Sequence, residues 1–395
     1  MINRPDYIAA IGPFIDKPLV KILAGIRRCG KSTIFEMLRE ELLRRGIGED
    51  QIVCKRYTEM DIPENITAKQ MYDELTAAMA GKGHCYLLLD EIQEITGWEK
   101  AVNSLLESAD ADIYVTGSNS KLMSSEISTY LTGRYVSIPV YTLSFKEYLD
   151  FKADSTLSRR ELLEEYIRFG GFPIIALSEY DEQSAYQIVN GIYHTVVSRD
   201  IVKRHRINKQ DLFDRVVKYI IENMGKTFSA NSISTFLKSE HRKVSVESIY
   251  NYLRWMEQAF IIYPCERYDL QGKSILKTQE KYYLADVSLK YALLGYNRKM
   301  LDGAMENIVY LELKRRGYDV YIGKNDTKEI DFVATRRNER IYVQVCVRIP
   351  EASDREVGNL MEIRDHYPKY VVTLNEMDTG IEDGIPVSYT HLTLP

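Results

Sequence analysis

The sequence lacks the features that define several large classes of protein. Its 395 residues include only five cysteines, which are widely spread and form no Cys-x-x-Cys pair. This excludes a disulfide-rich secreted scaffold and a zinc knuckle, and it predicts reduced thiols in the cytoplasm. No segment approaches the roughly 18 uninterrupted apolar residues that a membrane span needs, and the start has no signal-peptide pattern. We therefore expect no membrane partner.

A strong excess of charge of one sign is also missing. The chain has 52 Lys and Arg against 57 Asp and Glu, a net charge of -5, and no internal repeat or low-complexity tract. This balance gives the whole chain no attraction to nucleic acid or anionic lipid, so any such contact must come from a local patch. The length, with 45% hydrophobic residues, predicts two or three globular domains.

Short apolar runs alternate with amphipathic stretches in residues 1–144. The runs are LVKILAG, QIVCKRY, CYLLLDE, DIYVTGS and YVSIPV. This alternation is typical of successive strand and helix units, and it predicts an α/β domain built on a parallel sheet. Residues 145–206 are helical in pattern and rich in tyrosine, with a break at Gly170-Gly171-Phe172-Pro173, which predicts a helical connector or lid.

The remaining chain predicts two further modules and a tail. Residues 207–275 contain three helical patterns and a short strand pattern, as in a winged helix-turn-helix module. Residues 276–386 alternate helix and strand patterns, which predicts an α+β domain. Residues 387–395 end in SYTHLTLP, which reads as translated sequencing adapter, so we interpret them as an atypical, artefactual tail.

A phosphate-binding motif lies between the first apolar run and the first helix. It matches Gly-x-x-x-x-Gly-Lys-Ser/Thr and contains Gly25, Arg28, Cys29, Gly30, Lys31, Ser32 and Thr33. The glycines let backbone N–H groups face a polyphosphate at a helix N-terminus. Lys31 is expected to bridge the β- and γ-phosphates of ATP and Ser32 to ligate Mg²⁺. The alternative is a glycine-rich turn that carries Lys-Ser by chance.

Two acidic residues follow the third apolar run, about sixty residues after this motif. We predict that Asp90 holds Mg²⁺ and that its neighbour Glu91 is the general base that activates water. A carboxylate base favours hydrolysis of ATP over the design of small GTPases, and a guanine-reading Asn-Lys-x-Asp is absent. Taken alone, an Asp-Glu pair after a strand is often only the polar start of a loop.

Polar residues next to the following runs complete the predicted site. Ser118 or Asn119, after the fourth run, is expected to hold the attacking water, although Thr-Gly-Ser-Asn is also good turn chemistry. Arg134 opens the fifth run, and we expect it on the same edge of the sheet. There it would meet the γ-phosphate in cis or from a neighbouring subunit, with a solvated surface arginine as the alternative.

The order of these motifs resembles that of the bacterial and archaeal AAA-type ATP-binding proteins. The resemblance rests on GIRRCGKST, YLLLDEIQ, YVTGSNSKLM, LTGRYVSIPVYTLSFKEYL, FGGFPIIA and MENIVYLELKRRGYDVYIGKNDTKEIDFVA, and it runs from Arg4 to about Pro386. It implies a P-loop AAA-type core, a winged-helix module and a C-terminal domain of unknown function whose fold resembles restriction-type nucleases. It also implies the phosphate, magnesium and base roles of Lys31, Ser32, Asp90 and Glu91.

The nuclease resemblance draws attention to Glu306, Asp331, Gln344 and Cys346. That fold usually carries Glu, Asp and then Glu-x-Lys, and here Gln344 replaces the second acid and Cys346 the lysine. Glutamine is a poor magnesium ligand, and a neutral thiol supplies no ammonium. Arg348 is the one substitute on the same strand face. We therefore expect an inactive domain that binds a protein partner.

DNA is the other expected partner. Residues 203–273 hold 13 Lys or Arg against 8 Asp or Glu, and the third helix of the winged module offers Tyr250, Asn251 and Arg254. Protein contact by the same surface is the alternative. The sequence thus predicts a cytoplasmic Mg²⁺-dependent ATPase that moves its other modules with nucleotide state, with oligomerisation left open. The competing hypotheses are a nucleotide-gated interaction module with little turnover and, less favoured, an ATP-dependent nuclease.

Overall fold

The computed structural model describes residues 3–59, 66–123, 125–207, 209–242, 244–272, 274–297, 300–349, 355–375 and 378–389. The chain divides into two compact units. The first is Met1–Thr142 with Gln258–Phe260, and the second is Leu143–Glu257 with Ile261–Pro395. Within the described ranges, no helix is both long and apolar enough to cross a membrane.

The first unit is built on a five-stranded parallel sheet of order β2-β3-β4-β1-β5. Its strands are β1 Val20–Ala24, β2 Ile52–Arg56, β3 Cys85–Asp90, β4 Ala111–Gly117 and β5 Tyr135–Pro139, and its helices are α1 Pro5–Ile11, α2 Lys31–Arg44, α3 Ala68–Met79, α4 Trp98–Ser108 and α5 Ser125–Tyr130. Every residue of β1 and β3 is buried, as expected of parallel strands covered on both faces. The parallel-sheet core predicted from the five apolar runs is confirmed.

The second unit begins with helices. They are α6 Phe145–Phe151, α7 Arg159–Phe169, α8 Pro173–Ala176, α9 Glu182–Val196, α10 Lys203–His205, α11 Gln210–Glu222, α12 Ala230–Ser239 and α13 Val246–Gln258, with a π-helix, Val197–Val202, between α9 and α10. Gly170 ends α7 with a φ of 75°, and a Cβ there would lie 1.8 Å from the Asp286 Oδ1 atom. Only glycine fits this break between helices.

An eight-stranded mixed sheet forms the rest of the second unit, with the order β12-β13-β11-β10-β9-β8-β6-β7. Its elements are β6 Ile262–Asp269, β7 Ser274–Leu284, α14 Ser288–Leu294, α15 Leu301–Arg315, β8 Asp319–Asn325, β9 Lys328–Arg336, β10 Glu339–Cys346, α16 Arg355–Met361, β11 Lys369–Thr373, β12 Gly380–Glu382 and β13 Ile385–Tyr389. Most of the sequence YDVYIG lies in β8, EIDFVAT in β9, most of IYVQVCVRI in β10 and most of KYVVTL in β11, in keeping with the α+β pattern of residues 276–386.

Two predicted boundaries differ from this architecture. The boundary between residues 275 and 276 falls inside β7, which forms an antiparallel hairpin with β6, and β6 also pairs with β8. The hairpin is therefore part of the C-terminal sheet, because the backbone hydrogen bonds of β6 are shared between both neighbours. The first three residues of the predicted tail, Val387–Tyr389, belong to β13 and pair with β11. Residues 390–395 lie outside the described ranges.

Candidate functional site

The phosphate-binding motif forms a tight loop between β1 and α2. A Cβ on Gly25 would lie 2.0 Å from the carbonyl oxygen of Val140, so no other residue fits there. Gly30 is the N-cap of α2 and has a left-handed φ of 101°, which glycine adopts without strain. The two glycines therefore allow the loop to curl directly before the N-terminus of α2, where backbone N–H groups favour an anion.

Lys31, the first residue of α2, lies under this loop. Its side chain is buried, and its ammonium donates to the carbonyl oxygens of Gly25 at 2.9 Å and Ile26 at 3.2 Å. The same nitrogen is 3.7 Å from the Glu91 Oε1 atom. Lys31 thus connects the loop to the acidic pair at the end of β3.

The other loop residues differ in exposure. Cys29 is fully buried, and burial raises the pKa of its thiol, so it is a packing residue. Arg28 has a left-handed φ of 67° and is exposed, as is Thr33 in the first turn of α2. The side chains of Arg28 and Thr33 therefore face solvent.

Asp90 ends β3 and meets Ser32 directly. Its Oδ2 atom accepts a hydrogen bond from the Ser32 hydroxyl at 2.7 Å and another from the Arg56 Nε atom at 3.0 Å. Its Oδ1 atom accepts from the Thr116 hydroxyl. A hydroxyl and a carboxylate side by side are oxygen ligands of the kind that Mg²⁺ prefers. The donor set at this point therefore fits magnesium.

Glu91 is held by several donors at once. It has a left-handed φ of 56°, its N–H donates to the Thr116 hydroxyl at 3.0 Å, and its Oε2 atom accepts from Ser118 at 3.3 Å and from the Gln93 amide. Burial alone would raise the pKa of this carboxyl. The positive charges of Lys31 and Arg27, together with the hydrogen bonds from Gln93 and Ser118, outweigh burial. They hold the pKa of Glu91 below its usual range. Glu91 is therefore ionised at neutral pH.

Ser118 and Asn119 follow β4 on the same edge of the sheet. Both are buried, and the Asn119 carbonyl accepts from the N–H of Leu122 in a short turn. Because β1, β3 and β4 are parallel neighbours, the residues that follow them meet at one edge. The fold thus brings Ser118 and Asn119 to the edge that carries Lys31 and Glu91.

Arg134 does not lie on this edge, so its predicted location is wrong. It precedes β5, and Tyr135 pairs with Val20, the first residue of β1, whereas the phosphate loop follows the last residue of β1. The Arg134 Nη2 atom donates to Asn103 at 3.0 Å and to Glu107 at 2.6 Å, both on α4. Within one chain, Arg134 is therefore one strand length away from the loop.

Sequence analysis missed three polar residues of this edge and a fourth behind the loop. Arg56, Gln93 and Thr116 contact the acidic pair. Arg4 is almost fully buried, and its guanidinium donates to the carbonyl oxygens of Cys29 at 2.8 Å and Tyr141 at 3.1 Å. Arg56 and Thr116 lie at the carboxyl ends of β2 and β4, which the apolar runs made visible in the sequence, but nothing in the pattern marked Arg4.

A second polar cavity lies in the C-terminal sheet. It is lined by Gly225, Lys226, Thr227, Lys281, Asp302, Glu306, Glu329, Asp331, Gln344, Val345, Cys346, Val347 and Arg348. Asp331 and Gln344 lie on the paired strands β9 and β10. The Asp331 N–H donates to the Gln344 Oε1 atom at 3.3 Å, and the Val345 N–H donates to the Asp331 Oδ2 atom at 2.8 Å. Thus the cavity gathers the residues to which the nuclease resemblance drew attention.

Lys281 of β7 supplies an ammonium that the sequence had not connected with this cavity. Its Nζ atom lies 3.2 Å from the Glu306 Oε2 atom and 2.8 Å from the Glu329 Oε1 atom. Burial would lower the pKa of Lys281, but Glu306, Asp331 and Glu329 outweigh burial and raise it. Across the residues that the structure describes, no three His, Cys, Asp or Glu side chains are grouped to hold a metal ion. The Lys281 ammonium thus balances part of the negative charge of the carboxylates in this cavity.

The third helix of the predicted winged module is α13. The Ser245 hydroxyl accepts from the Ser248 N–H at 3.1 Å, as expected of an N-cap residue. Ile249, Leu253 and Met256 are buried, whereas Tyr250 is 58% exposed. Arg254 is also exposed, and its Nη2 atom donates to the Asn251 Oδ1 atom at 2.7 Å. The helix therefore offers a polar and aromatic outer face.

Comparison with known proteins gives matches along most of the chain. The model of a family described as an AAA domain matches residues 17–149, and that of a domain of unknown function (DUF8612) matches residues 160–299. An uncharacterized protein of Haemophilus influenzae is 37% identical over 392 residues, which cover 98% of this chain and 97% of the relative. An uncharacterized protein of Methanocaldococcus jannaschii is 33% identical over 354 residues, covering 86% of this chain and 77% of the relative.

A solved structure supports the fold alone. The Walker-type ATPase of Pyrococcus abyssi matches with a TM-score of 0.53 and 14% sequence identity, and the match covers 74% of this chain and 96% of that chain. The AAA-type P-loop domain expected from the motifs is thereby confirmed, together with the AAA-domain match.

Proposed function

This chain belongs to the same family of AAA-domain proteins as its Haemophilus influenzae relative, and on that basis we propose that it is a Mg²⁺-dependent ATPase. The observation that carries the proposal is the meeting of Lys31, Ser32, Asp90 and Glu91 at one sheet edge. The Ser32 hydroxyl is 2.7 Å from Asp90, and the Lys31 ammonium is 3.7 Å from Glu91. A glycine-rich turn with no function would not require these buried charges.

Each residue has a role that follows from its chemistry. The backbone N–H groups before α2 and the Lys31 ammonium would bind the phosphates, and Ser32 with Asp90 would hold Mg²⁺, which neutralises phosphate charge when bound. Glu91, ionised and oriented by Ser118 and Gln93, would accept the proton of the attacking water. Asn119 would orient that water.

The test is direct. Isothermal calorimetry of the purified protein should detect ATP binding, and phosphate release should require Mg²⁺ and stop in EDTA. A protein that binds ATP but releases no phosphate under any condition would support the alternative function, a nucleotide-gated interaction module. The proposal is abandoned if no ATP binding is measured.

We further propose that the winged module binds DNA and that nucleotide state moves it together with the C-terminal domain. The support is the exposed face of α13 and the excess of 13 Lys or Arg over 8 Asp or Glu in residues 203–273. Such a surface binds phosphates, and releases counterions in doing so. Movement between two nucleotide states would connect this binding to hydrolysis.

Arg254→Ala should lower the affinity for duplex DNA at every sequence and reduce the salt slope of binding by about one, because one phosphate contact is lost. Fluorescence anisotropy at several salt concentrations measures both quantities. Arg44→Ala, which removes an exposed arginine that pairs with Glu41 on α2, is the matched control and should bind DNA as the wild type does. Equal affinities of the two variants would contradict DNA binding by α13.

For the C-terminal domain we propose a nuclease-like fold that contacts a protein partner and does not cleave DNA. The support is Lys281, whose ammonium lies between Glu306 and Glu329 where a magnesium ion would otherwise balance the acids. Gln344, a neutral side chain, further weakens any case for a metal. We expect no Mg²⁺-dependent cleavage of DNA with or without ATP.

A further inference from the structure

Arg56 is an arginine outside the phosphate loop that stands at the phosphate edge of the sheet. It is the last residue of β2, and in the parallel register of β2 and β3 it lies opposite Asp90. Arg134, by contrast, stands at the other edge. The side chain of Arg56 is 43% exposed and lines an open cavity together with Ser32 and Asp90. Arg56 is therefore close to the predicted magnesium ligands and has open space beside it.

The contact of Arg56 involves one particular oxygen atom. Its Nε atom lies 3.0 Å from the Asp90 Oδ2 atom, which also accepts from the Ser32 hydroxyl at 2.7 Å. The other oxygen of Asp90 accepts from Thr116. The oxygen that faces Ser32, and that would hold Mg²⁺ with it, is thus the one bonded to a permanent cation.

This arrangement has two electrostatic consequences of opposite sign. Asp90 and Glu91 place two negative charges where a triphosphate is to bind, and Arg56 offsets part of their repulsion. A divalent cation that binds to Asp90 must, however, displace the guanidinium or share the oxygen with it, and like charges at that distance repel. Arg56 therefore favours the nucleotide in the absence of metal and opposes the metal.

We propose that Arg56 is a built-in cation that pairs with Asp90 when no metal is bound, so that it strengthens nucleotide binding without metal and weakens the affinity of Asp90 for Mg²⁺. This inference rests on the proposed ATPase function and specifies how its site is loaded. Arg56 is a positioning residue in this scheme, since it acts through Asp90. Its second partner, the Glu59 carboxylate 3.6 Å from the Nη1 atom, offers the displaced guanidinium a place to remain.

The test is a thermodynamic comparison of wild type and Arg56→Gln. The affinity for a fluorescent ATP analogue is titrated in EDTA, and the affinity of the nucleotide complex for Mn²⁺ is titrated by electron paramagnetic resonance. A charged hydrogen bond is lost, so we expect roughly tenfold weaker nucleotide binding in EDTA. We also expect tighter Mn²⁺ binding by a similar factor. Arg56→Lys, which keeps the charge, should restore most of the nucleotide affinity without metal.

Lys69→Gln is the control. Lys69 also carries a positive charge, but it lies on α3, pairs with Asp73 and does not line this cavity. We expect this variant to leave both affinities within about twofold of wild type, since a screened surface pair contributes little. The inference is overturned if Arg56→Gln weakens both affinities, as a purely structural role would, or changes neither. Failure of the wild type to bind the analogue would instead overturn the ATPase proposal, and this inference with it.

Discussion

Glu91→Gln should lower the rate of ATP hydrolysis by about 10²–10⁴-fold, the usual contribution of a positioned general base. Glutamine keeps the size of the side chain and its contacts with Ser118 and Gln93, but it cannot accept a proton from water. ATP should still bind, because the phosphate ligands are Lys31 and the loop. Steady-state phosphate release measures the loss, and calorimetry shows whether ATP affinity is retained.

Glu49→Gln is a suitable control for this prediction. Glu49 lies before β2, away from the phosphate edge, and its carboxylate pairs with Arg39 and is 74% exposed. Its substitution should change the rate by less than about twofold, as for other exposed ion pairs. If Glu91→Gln hydrolysed ATP as fast as Glu49→Gln, another residue would have to be the base. A loss of ATP binding in Glu91→Gln would instead assign it to the binding of nucleotide.

The nucleotide edge was predictable because its determinants are local in sequence. The glycines of the phosphate loop and the Asp90-Glu91 pair each follow a buried strand, and parallel strands bring their carboxyl ends together. The same rule exposes the error at Arg134, which precedes its strand and so lies at the amino edge. The position of Arg134 before its strand was visible in the sequence, so this error was avoidable. Arg56 ends β2 and therefore lies at the carboxyl edge, but the sequence analysis overlooked it.

The C-terminal cavity was less predictable because its parts are distant in sequence. The resemblance drew attention to Asp331 and Gln344, and these two residues do lie together, on paired strands. Lys281 lies 50 residues before Asp331 and reaches the cavity only because the β6–β7 hairpin joins the sheet through β8. The predicted domain boundary at residue 275 kept Lys281 in one domain with Asp331 but separated it from Cys265, its partner on β6. Pairing between distant strands depends on tertiary contacts, which local patterns do not report.

The opposite edge of the nucleotide sheet contains a buried ion pair whose role is structural. Lys21 of β1 pairs with Asp112 of β4, and both side chains are at most 1% exposed. Asp112 also accepts from the Asp16 N–H at 3.0 Å and from the Tyr114 hydroxyl. Burial lowers the pKa of Lys21 although Asp112 opposes this effect. Asp112 therefore offsets only part of the cost of burying this ammonium.

Asp112→Leu should destabilise the protein by about 3–5 kcal/mol, because it leaves the ammonium of Lys21 buried without its counter-charge. The double variant Lys21→Met with Asp112→Leu should recover most of that loss, since two apolar side chains carry no desolvation penalty. Urea unfolding followed by circular dichroism measures both. Lys21 and Asp112 lie at the amino edge of the sheet, away from the phosphate loop. The folded double variant should therefore bind ATP as the wild type does. A double variant no more stable than Asp112→Leu would mean that the carboxylate acts through Asp16 and Tyr114, not through its charge on Lys21.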